Sequence, residues 1–132
     1  MHCVIHVGLH HTGTTSFQKF LFKNRDALRK NKILYPLTGI NPGSYQQSLI
    51  PSCFLNNHLS IPAERSKDFK QYMYLLEEET KKEEYDLCII SSEVFTELLQ
   101  FSQEILCKTL KEIYKIFSNV TILISSRSSD QR

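Results

Sequence analysis

No stretch of this chain approaches the roughly 20 apolar residues that a membrane-spanning helix requires. No signal peptide is visible either: His2 to Val7 is too short for its apolar core and leads straight into a polar loop. Internal repeats and low-complexity segments are missing, and no composition shift marks a domain boundary. Cysteine is sparse, and Cys3, Cys53, Cys88 and Cys107 lack the paired spacing of a zinc site. His2, His6 and His10 recur every fourth residue, but His2 and His6 precede the first helix, so they form no helical metal face. Sixteen Lys and Arg against fourteen Asp and Glu leave a net charge of +2, too little to argue for nucleic acid. Free buried thiols are the default for such cysteines and suit a reducing compartment. The expectation is a cytoplasmic protein with neither a membrane nor a nucleic-acid partner.

What is present is an ordinary globular composition, 41% apolar and 23% charged over 132 residues. That is enough for a single domain, residues 1–132, around one core. Residues 3–7 read as a strand, and Thr14 to Lys30 as an amphipathic helix with Phe17, Phe20, Leu21, Ala27 and Leu28 near one period. Lys19, Lys23, Arg25, Arg29, Lys30 and Lys32 make that region basic, opposed only by Asp26, and read as a solvated face. Ile33 to Tyr35 is a short strand stopped by Pro36, and Leu37 to Ser44 is a loop. Ser44 to Asn57 is a helix interrupted at Pro51. Ser66 caps a helix to about Glu84, with Phe69, Met73 and Leu76 inward and the Glu77-Glu78-Glu79 run in solvent. Leu87 to Ser91 reads as a buried strand, Ser102 caps a helix to about Phe117, and Val120 to Ile124 reads as another buried strand. Strands alternating with helices predict an α/β fold with a mostly parallel sheet.

Glycine is scarce, four in all, and two of the four bracket the most informative segment, Gly8 to Gly13. An apolar strand enters this loop and a helix leaves it, the layout of a phosphate-binding loop. Free N–H groups at the helix start and the positive end of its dipole favour an anion. Thr12, Thr14, Thr15 and Ser16 add hydroxyl donors, and Gly13 permits a tight turn close to the anion. The lysine of the ATP- and GTP-binding version is missing, because Thr14 stands in its place. No later strand ends in an aspartate to complete a magnesium site; the second ends Ile89-Ile90-Ser91-Ser92-Glu93. An NTPase needs both to neutralise the β and γ phosphates, so a less demanding donor fits better. Gly8, Glu93 and Arg127 all follow carboxyl ends of predicted strands, where ligands of parallel sheets sit. Glu93 either accepts a proton from an attacking hydroxyl or caps a helix beginning near Val94; His10 is an alternative base.

Gly8 to Gln18, followed by Asn24-Arg25 and Ile33-Leu34-Tyr35-Pro36, resembles the start of a sulfotransferase that uses 3′-phosphoadenylyl sulfate (PAPS). The nearest likeness is to the bacterial, carbohydrate-sulfotransferase-like branch, whose loop typically reads Gly-x-His-Lys-Thr-Gly-Thr-Thr-Ser-x-Gln. Leu87 to Glu93 resembles the family's second core strand, and Val120 to Arg127 the strand that delivers an arginine to the 3′-phosphate. The resemblance implies a P-loop NTPase-like three-layer α/β fold and PAPS as donor. It implies cofactor binding by His11, Thr12, Gly13, Thr14, Thr15, Ser16 and Arg127, with no metal required. The acceptor hydroxyl or amine would belong to a carbohydrate or glycolipid, with Glu93 or a histidine to activate it.

One residue departs from the family pattern. His11 stands where the family lysine assists the leaving group, and a histidine is shorter and mostly neutral at pH 7. The family also carries a second 3′-phosphate contact, a serine some eight residues past the arginine. Counted from Arg127 that position falls beyond Arg132, and Ser128 and Ser129 are too close to fill it. The expectation is therefore the N-terminal part of such a fold, with an uncovered sheet face prone to self-association. A nucleotide-binding relative without turnover and an atypical P-loop kinase are the rival readings.

Overall fold

The computed structural model describes residues 1–8, 14–55 and 63–125, and of 14 and 63–67 the backbone alone. Four strands form one all-parallel sheet: β1 (His2–Gly8), β2 (Ile33–Leu34), β3 (Leu87–Ser91) and β4 (Asn119–Ser125), in the order β2-β3-β1-β4. The α/β expectation with a parallel sheet holds. β1 lies in the interior, paired with β3 from His2↔Leu87 to His6↔Ser91 and with β4 from His2↔Asn119 to Gly8↔Ser125.

Period-two alternation sends the side chains of β1 to two different environments. Cys3 and Ile5 face the same side as their register partners Cys88 and Ile90, and all four are fully buried. They pack with Phe69, Met73 and Leu76 of α4 (Ala63–Lys81), Phe95 and Leu98 of α5 (Val94–Phe101) and Ile113 of α6 (Gln103–Tyr114). Burying a side chain such as Ile5 or Ile90 contributes about 1.5–3 kcal/mol. His6 faces the other side, against Phe17 of α1 (Thr14–Lys23). Right-handed crossovers explain the division. The chain moves one way across the sheet from β1 to β2, and the opposite way from β2 to β3 and from β3 to β4. The connecting helices therefore fall on opposite faces.

The long helix expected from Thr14 to Lys30 is broken at Asn24 into α1 and α2 (Arg25–Lys30). The Asn24 side chain donates to the Phe20 carbonyl at 2.8 Å, the same carbonyl that the Asn24 N–H bonds at 3.0 Å. The helix expected over Ser44–Asn57 shrinks to a single turn, α3 (Leu49–Ser52), which tolerates Pro51 because first-turn N–H groups need no partner within the helix. The helix expected to start at Ser66 instead begins at Ala63 and ends at Lys81, so Ser66 is not at its N-cap position. Ser102 does cap α6, accepting from the Ile105 N–H at 3.2 Å. Glu79 is no solvated residue: its carboxylate accepts from the Leu37 and Thr38 N–H groups at 2.7 and 3.1 Å and from the Thr38 hydroxyl at 2.6 Å. It thereby ties the loop after β2 to α4.

The expectation that β4 is buried fails. Ile122, Leu123 and Ile124 are 42%, 49% and 63% exposed. Among the described residues no strand pairs with its outer edge. The β-branched composition correctly marked a strand but carried no information on what covers it.

Candidate functional site

Connections leave the carboxyl ends of β1 and β3 in opposite directions, which makes this pair of strand ends a topological switch point, the usual ligand position in open α/β sheets. Gly8 ends β1 and lies opposite Ser125, the last residue of β4. Thr14 opens α1, and Thr15 and Ser16 are exposed in its first turn. His10, His11, Thr12, Gly13 and Arg127 lie outside the described residues.

Glu93 occupies the N-cap position of α5, but its side chain makes no capping hydrogen bond. Ser92 supplies the cap, its hydroxyl accepting from the Val94 N–H at 3.0 Å. The exit of β3 is pinned to β1, because the Ser92 N–H donates to the His6 carbonyl at 3.0 Å. Two consecutive glutamines hold it from the other side. Gln46 Oε1 accepts from the Ser92 hydroxyl at 2.9 Å and the Glu93 N–H at 3.0 Å. Gln47, wholly buried, accepts from the Ser91 N–H at 2.8 Å and donates to the Pro36 carbonyl at 2.8 Å. The half-buried Glu93 is thus carried on a rigidly held strand exit at the switch point.

A buried polar cluster underlies the same strand ends. His6 is 2% exposed, with Nδ1 2.8 Å from Ser91 Oγ and Nε2 2.5 Å from Ser125 Oγ. Gln18 of α1 donates through Nε2 to Ser91 Oγ at 2.9 Å. Phe17 closes the cluster, its ring edge-on to the imidazole at 5.0 Å between centroids. Desolvation lowers the His6 pKa from its ordinary 6.5, so the ring is neutral at pH 7. Sequence reasoning considered His6 only within a run of spaced histidines. Its partners lie 85 and 119 residues away, so no local pattern announces them.

No protein-family model, curated protein or solved structure matches this chain. Among the described residues, no group of three or more His, Cys, Asp or Glu could hold a metal ion, and no helix is long and apolar enough to cross a membrane. A groove of about 700 Å³ lies elsewhere, between α4 and α6 on the sheet face opposite His6. Its floor includes Phe69, Met73 and Ile105, and Lys70, Lys108, Lys111 and Lys115 also line it.

Proposed function

We infer that this chain is a PAPS-dependent, sulfotransferase-like protein of the P-loop α/β type. The observation that carries the reading is the loop between Gly8 and Thr14, which leaves an interior parallel strand at a switch point and runs into a helix. Its sequence offers threonine and serine hydroxyls but no P-loop lysine. In this proposal Thr12, Gly13, Thr14, Thr15 and Ser16 hold the 5′-phosphosulfate, and Arg127 pairs with the 3′-phosphate. Thr15 and Ser16 fit that role in being exposed in the first helical turn.

Glu93, or a histidine of the loop, accepts the proton of the attacking acceptor hydroxyl or amine. The new bond joins acceptor oxygen or nitrogen to sulfur. The bond that breaks joins sulfur to the bridging oxygen, which leaves on adenosine 3′,5′-bisphosphate. His11 stands nearest in sequence to the place where a donor would assist that oxygen. A carbohydrate or glycolipid acceptor and a cytoplasmic setting belong to the same proposal, the latter resting on three buried thiols and no disulfide.

A binding-only relative is the second reading. It is favoured by His11 in the place of the family lysine and by the outer edge of β4, which no described strand covers. Calorimetric titration with adenosine 3′,5′-bisphosphate, against ATP with magnesium, tests the site. Tighter binding of the bisphosphate supports it, and tighter magnesium-dependent ATP binding overturns it in favour of a kinase. A turnover assay with PAPS then separates enzyme from binding module. Replacing His11→Lys should raise nucleotide affinity or transfer at pH 8, where histidine is neutral. No difference across pH 6 to 8 makes His11 a spectator.

A further inference from the structure

The hydrogen-bond cluster under the strand ends has a direction. Gln18 reaches Ser91 Oγ through its amide nitrogen, which can only donate. Ser91 therefore accepts there, and its one hydroxyl proton remains for Nδ1 of His6, 2.8 Å away. With the Gln18 amide in this orientation, an Nδ1–H tautomer would leave the buried Ser91 proton without an acceptor, which costs about 1–3 kcal/mol. A neutral imidazole that accepts at Nδ1 carries its hydrogen on Nε2. That hydrogen points at Ser125 Oγ, which is thus an acceptor toward His6. The Ser125 proton is then left over for a different partner.

The position of Ser125 suggests what that partner is. It is the last residue of β4, half-buried, and opposite Gly8, where the loop begins. Gly8, His6 and Ser125 lie on the face of the sheet that α1 covers. No carboxylate takes part in the chain from Gln18 through Ser91 and His6 to Ser125. An anion at the loop is the partner that a hydroxyl donor at this place suits.

We propose that Ser125 is an anion-binding residue whose hydroxyl donates to a phosphate of the bound nucleotide, with His6 as the positioning residue that keeps it a donor. The proposal rests on the nucleotide-binding reading of the loop and extends it to a residue that no P-loop pattern contains. His6 touches no ligand; it acts by occupying a lone pair of Ser125 and fixing its rotamer. Protonation of His6 would reverse the Ser91 bond and strand the Ser91 proton, so the arrangement needs the neutral ring that burial provides.

Two measurements test this. Nitrogen NMR of the histidine side chains at pH 7.5 should find His6 in the Nε2–H tautomer, assigned by its response to Ser125→Ala. Calorimetry with adenosine 3′,5′-bisphosphate and with inorganic pyrophosphate should then show about tenfold weaker binding in Ser125→Ala, or about 1.4 kcal/mol. Ser125→Thr, which keeps the hydroxyl and suits a strand, should restore affinity to within about twofold. An Nδ1–H tautomer overturns the proposal, because Ser125 would then spend its proton on His6. Equal binding by wild type and a folded Ser125→Ala overturns it too, while leaving the nucleotide site intact. Failure of the wild type to bind either probe overturns both this proposal and the reading beneath it.

Discussion

Gln47 and Ser91 hold each other by two hydrogen bonds, side chain to backbone in one direction and backbone to backbone in the other. The Ser91 N–H donates to Gln47 Oε1 at 2.8 Å, and the Gln47 N–H donates to the Ser91 carbonyl at 3.0 Å. The loop before α3 thereby completes hydrogen bonding at the end of β3, on the side where the two-residue β2 does not reach.

Removing that side chain should be expensive. Gln47→Ala leaves the Ser91 N–H and the Pro36 carbonyl buried without their partner. Each orphaned group costs about 1–3 kcal/mol, so a loss of roughly 2–5 kcal/mol is expected in urea denaturation. A loss below about 1 kcal/mol would mean that water replaces the amide.

His6 makes stability depend on pH. Unfolded, its imidazole titrates near the ordinary 6.5; folded, burial holds it lower. Between those values the unfolded chain binds more protons, so stability rises with pH through that window. The contribution is fully present above 6.5 and is lost as the pH falls towards the folded value. Urea midpoints at pH 7.5 and 5.5 should fall further in wild type than in His6→Gln. Equal falls would assign the dependence to other groups.

Lys32 is the one described non-glycine residue with positive φ, at 63°, just past the end of α2. Glycine adopts that conformation without the Cβ clash. Lys32→Gly should raise stability by about 1 kcal/mol, read as an increased midpoint of thermal unfolding. A decrease would show that the lysine stem contributes packing worth more than the backbone strain.

The outer edge of β4 should make the protein associate. Ile124 is 63% exposed beside Ile122 and Leu123, on a strand whose outer N–H and C=O groups have no described strand partner. Such edges template pairing, and a lysine there discourages it. Sedimentation over a range of concentrations should show self-association in wild type and less in Ile124→Lys, with stability nearly unchanged. Undiminished association in the variant would place the contact elsewhere.

The sequence disclosed strands and helices where the pattern was local. The apolar runs of β1 and β3 and the Ser102 cap needed only neighbouring residues to be recognised. The break at Asn24 was hidden because the apolar period runs through it, and the Asn24 N–H still bonds the Phe20 carbonyl at 3.0 Å. The exposure of β4 was equally hidden, since β-branched residues suit a covered and a bare strand alike. Of the candidate site, the loop and Glu93 came from local motifs, whereas His6, Gln18, Gln46, Gln47 and Ser125 depend on strand order. No spacing along the chain brings His6 to Ser91 and Ser125.

The interior position of β1 also orders events in time. It is the first strand in sequence, yet its backbone partners follow about 85 residues later in β3 and 117 later in β4. During synthesis β1 and α1 emerge before either described strand partner of β1, and among the described strands the short β2 pairs with β3 alone. Closing such long loops before any contact rewards them makes folding slow. The nascent chain would expose its first apolar strand until nearly all of these 132 residues are made. Chaperone demand should therefore concentrate on the segment that later frames the loop.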